Sequence, residues 1–317
     1  GLVGNAAALM LFGFSNTLAW IFIARALSGA WSAAVLPTVI AYVADVTSKE
    51  ERGRGMGLMG AAMGLGFIFG PAIGTLMSQH DTPFFIAGAL SLATSIFALI
   101  LLPESLKSEN RLDKQERRIF PWEILTRRTF SNRLTPLFLV AFFSTFAFAG
   151  LETTFPLFIA DRWQYGAKDL GQMFFIMGTV VALVQGSVLG RLINRYGEFR
   201  LTFLGLIMTC AGLTLLPSSD SLVSLTVNLT VTAMGTQIIR PTNSSWISKK
   251  TKIGHGTTIG IMDSFLSLGR VLGPPFAGKL YSPATFQMPY WISAGILIVA
   301  SVFLFFPLRR IDRENIA

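Results

Sequence analysis

The sequence predicts an all-α polytopic membrane protein made of two pseudo-symmetric helical bundles. Three observations carry this. Hydrophobic residues make up 52% of the chain and charged residues 14%, whereas a soluble domain is about 25% charged. Apolar runs approaching the roughly 20 residues that a helix needs to cross the hydrocarbon core recur along the whole length. A glycine–proline signature also appears twice, at matching places in the two halves: Gly66 to Gly70-Pro71, then Gly269 to Gly273-Pro274.

The spans follow in order. Residues 1–15 form a short apolar stretch, without the charged flank of a signal peptide, and read as an internal segment. The second span covers 18–43, and a polar stretch with Asp45 and basic residues to Arg54 follows. The third covers 56–77, ending at the turn Gln79-His80-Asp81, and the fourth covers 83–102, stopping at Pro103-Glu104. Residues 104–133 carry a run of Lys and Arg from Lys107 to Arg133 and read as a linker or surface helix. Six more spans are expected at 135–160, 171–190, 201–217, 222–247, 256–280 and 287–307, with a short basic tail from Arg309.

Orientation comes from the basic residues. Connections 45–54, 104–133, 191–200 and 249–252, with the tail, hold most of the 26 Lys and Arg. Lys and Arg concentrate on the cytoplasmic side of membrane proteins, so these segments and the C-terminus are expected there. The net charge of +9 is thus a topology signal and gives no reason to invoke nucleic acid. The second half has six spans and the first has four. If the halves match, two further helices belong before residue 1, for a total of twelve.

Several function classes are excluded. One cysteine, Cys210, and two histidines leave no basis for a disulfide, a metal cluster or another cofactor. No phosphate-binding glycine loop ending in Lys-Ser/Thr occurs, which removes ATP-driven pumping. No nucleophile–base pair is visible, so no enzyme is expected.

A short list of residues carries chemistry. In Gly66, Gly70, Pro71 and Gly74, and again in Gly269, Gly273 and Pro274, small residues one turn apart let helices approach closely in lipid. Proline removes a backbone donor and bends the helix. The pair reads as a moving interface or as ordinary small-residue packing. Arg25 lies inside the second span and either faces a cavity or snorkels to the interface. Glu152 is a lone acid well inside an apolar span, which suits either proton and cation handling or a structural carboxylate paired with Arg or a hydroxyl. Gln237, Arg240 and Pro241, in the span at 222–247, are candidates to mark the inner part of a translocation path. Asp263 and Arg270 lie seven residues apart on one helix, placing them on a similar face, as an internal contact, as cavity lining or as a gate. Aromatic residues such as Phe146 and Phe155 are candidates to line a central cavity or to pack the core. Gly190, Arg191, Arg195 and Gly197 belong to a tight basic helix connection.

With these residues in view, the chain resembles the major facilitator superfamily, and within it the drug:proton antiporters of the Gram-positive quinolone and tetracycline efflux type. Arg25-x-x-x-Gly29 is similar to the fourth-helix motif of that family, with Ser28 where Gln is common. Gly66 to Gly74 is similar to the fifth-helix antiporter motif, with Thr75 for a frequent second glycine. Gly190 to Gly197 resembles the second-half copy of the loop between helices two and three, and Asp45 an acidic position that contacts the first-half copy. Glu152 matches a seventh-helix glutamate implicated in proton coupling, and Arg240-Pro241 a tenth-helix pair. Three residues before that Arg, where similar pumps carry aspartate, this chain has Gln237.

The resemblance implies an N-terminal bundle at 1–103 (helices three to six), a cytoplasmic linker at 104–133, a C-terminal bundle at 134–308 and a cytoplasmic tail at 309–317. It implies a monomeric plasma-membrane exporter of amphipathic compounds, cationic ones among them, driven by protons through Glu152 and Asp263. Export of a sugar, peptide or lipid-linked metabolite is the alternative that Gln237 keeps open. Protons, a small amphipathic or lipid-linked substrate and membrane lipids are the expected partners, and nucleic acid is not.

Overall fold

The structure is a computed structural model that describes residues 1–47, 58, 62, 65–66, 69–70, 74, 82–104, 134–250 and 255–313. Helices dominate, and no strand occurs among the described residues. The chain divides into two compact units, Gly1–Arg118 and Ile119–Ala317.

The first unit contains α1 (Leu2–Gly13), α2 (Leu18–Ser32), α3 (Val35–Val46) and α4 (Thr82–Leu101). Helix α1 packs against both α2 and α4. Glycines set those approaches: a Cβ on Gly88 would stand 3.0 Å from Met10, and one on Gly13 would meet the Phe85 ring at 2.8 Å. A polar thread joins all three helices. The Ser28 hydroxyl donates to the Asn5 amide oxygen at 2.7 Å, the Asn5 amide donates to Ser91 at 3.4 Å, and Ser91 donates to the Leu2 carbonyl at 3.0 Å.

The expected single helix over 18–43 is two helices, broken at Ala33-Ala34. Pro37 explains the break. It has no N–H to offer the carbonyl four residues earlier, at Ala33, so the ladder is interrupted there. Most of the expected span at 56–77, including Pro71, and the linker after Glu104 lie outside the described residues, as does the side chain of Asp45.

The second unit contains α5 (Thr135–Trp163), α6 (Ala167–Ser187), α7 (Leu189–Tyr196), α8 (Glu198–Leu215), α9 (Leu222–Lys250), α10 (His255–Leu280) and α11 (Met288–Arg313). Helix α5 is its centre, touching α9, α10 and α11. Of its most apolar stretch 72% is buried. Among the described residues, α4, α5, α6, α8 with its following turn, α9 and α11 are long and apolar enough to cross a membrane. Helix α10 is 26 residues long but carries Asp263, Arg270 and Lys279 along it.

Two apolar clusters fill the unit. One gathers Phe138, Trp246, Met262, Leu297 and Leu308. The other gathers Leu151, Phe155, Phe158, Met173, Leu213 and Tyr290. Between them on α8 and α9 lie small residues, and the two backbones nearly touch. A Cβ on Gly205 would sit 2.7 Å from the Gly235 carbonyl oxygen, while Gly212 and Gly235 have no room for one against Thr232 and Thr209. Thr209 and Thr236 hydroxyls lie 3.4 Å apart across this seam. Close backbone approach at small residues is how helices associate where lipid supplies no hydrophobic drive.

Candidate functional site

Helices α5 and α10 make the most extensive pairing in the second unit, and the second glycine–proline signature lies on it. A Cβ on Gly269 would stand 2.8 Å from both the Phe142 carbonyl oxygen and the Phe146 nitrogen. One on Gly273 would overlap the Phe146 carbonyl oxygen, and one on Gly150 would meet Ala277 at 3.0 Å. The seam is therefore built from both sides. Gly66, Gly70 and Gly74, by contrast, face open space among the described residues.

Glu152 follows Gly150 by two residues, and Arg270 follows Gly269 by one. Both side chains stand at the surface of the unit, and the Arg270 guanidinium acts electrostatically on the Glu152 carboxylate. Beside them the Phe146 ring meets Phe276 at 5.1 Å and Phe142 at 5.9 Å.

Asp263 finds its partner on another helix. It receives a hydrogen bond from Arg240 of α9 at 3.2 Å, with both side chains partly exposed. Separation of seven residues puts Asp263 and Arg270 about 10 Å apart along the helix axis, too far for direct contact. The four charges thus group as Arg240 with Asp263 and Arg270 with Glu152. A charge at mid-membrane costs about 2.5–3.5 kcal/mol on insertion scales, so four together call for pairing and water.

Pro241 and Gln237 are linked through the backbone. Pro241 lacks the N–H that would bond the Gln237 carbonyl. The Gln185 side-chain amide of α6 takes its place, donating to that carbonyl at 3.1 Å. Sequence reasoning missed Gln185. The available signal was a polar residue in an apolar span, with a proline elsewhere leaving one acceptor free. The same spacing recurs: Pro156 stands four residues after Glu152, and Pro274 four after Arg270. Three of the candidate residues are each one turn ahead of a proline.

Other candidates are placed as follows. Phe155 is fully buried, edge-on to Phe174 at 6.4 Å and near Phe158. Its position on α5 turns it into the core cluster. Arg25 is exposed in the first unit, with its guanidinium 5.5 Å from the Phe12 ring centre. Gly190, Arg191 and Arg195 lie on the separate short helix α7, which buries Leu189 against Leu201 and Ile238 and leaves both arginines exposed. Gly197 ends it at φ +79°, a left-handed conformation in which a Cβ would be strained.

Two clamps at the ends of the bundle were also missed. Buried Glu198 forms an ion pair with Lys249 and accepts from Ser245 at 2.9 Å, tying α8 to α9. At the other end the Tyr281 hydroxyl donates to Asp161 at 2.7 Å, tying the end of α10 to α5. Burial, then the adjacent carboxylate, push the Tyr281 hydroxyl well above its ordinary value.

Known proteins agree with this architecture. The sequence model of the Major Facilitator Superfamily matches residues 1–254 and 186–317. Multidrug resistance protein 1 of Bacillus subtilis (strain 168) is 30% identical over 284 residues, spanning 89% of this chain and 72% of that protein. Quinolone resistance protein NorA of Staphylococcus aureus is 25% identical over 308 residues, spanning 95% and 77% respectively. Among solved structures, the human organic anion transporter MFSD10 (TETRAN) superposes with a TM-score of 0.73 at 26% identity, covering 97% of this chain and 75% of that one. A bacterial homologue of the human lysosomal transporter Spinster gives a TM-score of 0.73 at 14% identity, covering 99% and 82%, and so shares the fold. The chain belongs to the Major Facilitator Superfamily and is a membrane transporter, not an enzyme.

Proposed function

We propose that the protein is a proton-driven exporter of amphipathic compounds, cationic ones among them, working by alternating access at the plasma membrane with its C-terminus in the cytoplasm. The observation that carries this reading is the Glu152–Arg270 pair beside the Arg240–Asp263 bond, four charges on helices otherwise built for lipid. The multidrug and quinolone resistance relatives support the substrate class. In this reading Glu152 exchanges a proton, and Arg270 stabilises its ionised form until substrate arrives. Asp263, held by Arg240, is the second carboxylate on the path. Helices α5 and α10 slide along their glycine seam as the site changes the side it opens to.

An organic anion as cargo is the second reading, favoured by the likeness to MFSD10 and by Arg270 standing at the surface. Proteoliposome flux separates the two. With an imposed pH gradient, uphill movement of an amphipathic cation such as ethidium, abolished by a protonophore, is the expected result. Gradient-driven movement of an aromatic carboxylate without movement of cations supports the second reading. No gradient-dependent flux of either class rejects proton coupling.

A further inference from the structure

Apart from the charged face, an open groove of about 710 Å³ runs between α8 and α11 in the second unit. Phe203, Ile207 and Ala211 line one wall, and Ile298, Val302 and Phe306 the other. Its two hydroxyls are turned inward on their own helices. Thr214 donates to the Cys210 carbonyl at 2.8 Å, and Ser301 to the Leu297 carbonyl at 2.6 Å. What the groove presents is therefore hydrocarbon, and water gains no partner there.

The two ends differ. At one, Phe199 and Phe203 of α8 meet Phe305 of α11 at 5.7 and 5.1 Å, and the Arg309 guanidinium lies 5.9 Å from the Phe305 ring centre. Arg200 stands in the same first turn of α8, and both arginines are exposed. At the other end the Trp291 indole N–H donates to the Thr214 carbonyl at 3.2 Å, a residue type that favours headgroup depth. From Phe203 to Leu215 the wall runs roughly 18 Å at helical rise, slightly more than half of the ~30 Å hydrocarbon core. That length suits one acyl chain entering from the leaflet that Arg309 faces. An arginine fork above an apolar slot suits a phosphate that keeps its negative charge.

We infer that this groove is a site for an anionic phospholipid, with one acyl chain between α8 and α11 and its headgroup phosphate at Arg309. The site lies away from Glu152 and Asp263, and its test measures lipid capture without flux, so it stands independently of the transport reading.

The probe is a phosphatidylglycerol carrying a photoreactive group near the end of one acyl chain, added to the full chain in neutral-lipid nanodiscs. Cross-links should concentrate on the α8 and α11 walls of the groove when mapped by mass spectrometry. Unlabelled phosphatidylglycerol should compete better than phosphatidylcholine by roughly five-fold for one interfacial arginine. Arg309→Gln should erase that preference and Arg309→Lys should retain part of it. Ala211→Phe, which fills the slot, should lower cross-linking by either lipid. If Ala211→Phe does not fold, the Arg309 variants still decide. Labels spread evenly round the helices, equal competition by both lipids, or an unchanged preference in Arg309→Gln would each overturn the assignment.

Discussion

Glu152 and Asp263 are both carboxylates on apolar helices, yet their surroundings assign them different behaviour. Asp263 is engaged at 3.2 Å by Arg240, whereas Glu152 feels Arg270 across the α5–α10 seam. Glu152→Gln keeps the shape and removes the charge, so it should insert and fold normally. Uphill, gradient-driven flux should fall at least ten-fold while downhill exchange survives, and substrate-induced proton release in detergent should drop with it. Equal release and equal pumping by the variant would move the coupling role to Asp263. Tyr281 gives a pH statement outside the spans. Its hydroxyl titrates above the ordinary tyrosine value of 10.0, so the folded state favours the protonated form. The stability linked to the protonated hydroxyl, from burial first and then from the bond to Asp161, is therefore kept around neutral pH and is lost as pH rises above 10. Tyr281→Phe should lower the melting temperature by a similar amount at pH 6 and pH 8; a change confined to one of these values would contradict the assignment.

At the scale of helices, the α5–α10 seam and the Pro241 gap in the α9 ladder are the parts that movement would use. Gly273 has backbone of Phe146 where a side chain would go. Gly273→Leu should express at the membrane but lose most transport, since the helices could not stay in register. Overpacking of this kind typically costs about 1–3 kcal/mol, which detergent melting curves would report. Gln185 acts on the opposite principle, supplying a donor where Pro241 removed one. Gln185→Leu leaves the Gln237 carbonyl without that partner, a loss of about 0.5–1.5 kcal/mol, and should weaken substrate affinity more than insertion. An unchanged melting point together with unchanged affinity would show that the bond has no positioning role.

For the whole molecule, topology is the testable property. Cys210 is the chain's single cysteine, so Cys210→Ser provides a background for single introduced thiols. In intact cells Lys168→Cys should react with a membrane-impermeant maleimide, and Arg195→Cys should react after permeabilisation alone. The reverse pattern would invert the orientation read from the basic connections. Composition and span length were enough to establish an all-helical membrane protein, because lipid accepts only segments that satisfy their own backbone and hide few charges. Helix boundaries from α4 onward fell close to the expected ones for the same reason. The second glycine–proline signature falls where α5 and α10 pack closely, at Gly269 and Gly273, and the absence of a side chain there is a property of the residue alone. Partners were a different matter. The bond of Asp263 to Arg240 on another helix, the burial of Phe155, and the seam of Gly205, Gly212 and Gly235 depend on how helices rotate about their axes. Apolar residues surround much of each span, so the pattern along one helix leaves that rotation open. It becomes fixed when the neighbouring helices supply the glycine gaps, the proline-freed carbonyls and the opposite charges that each side chain meets.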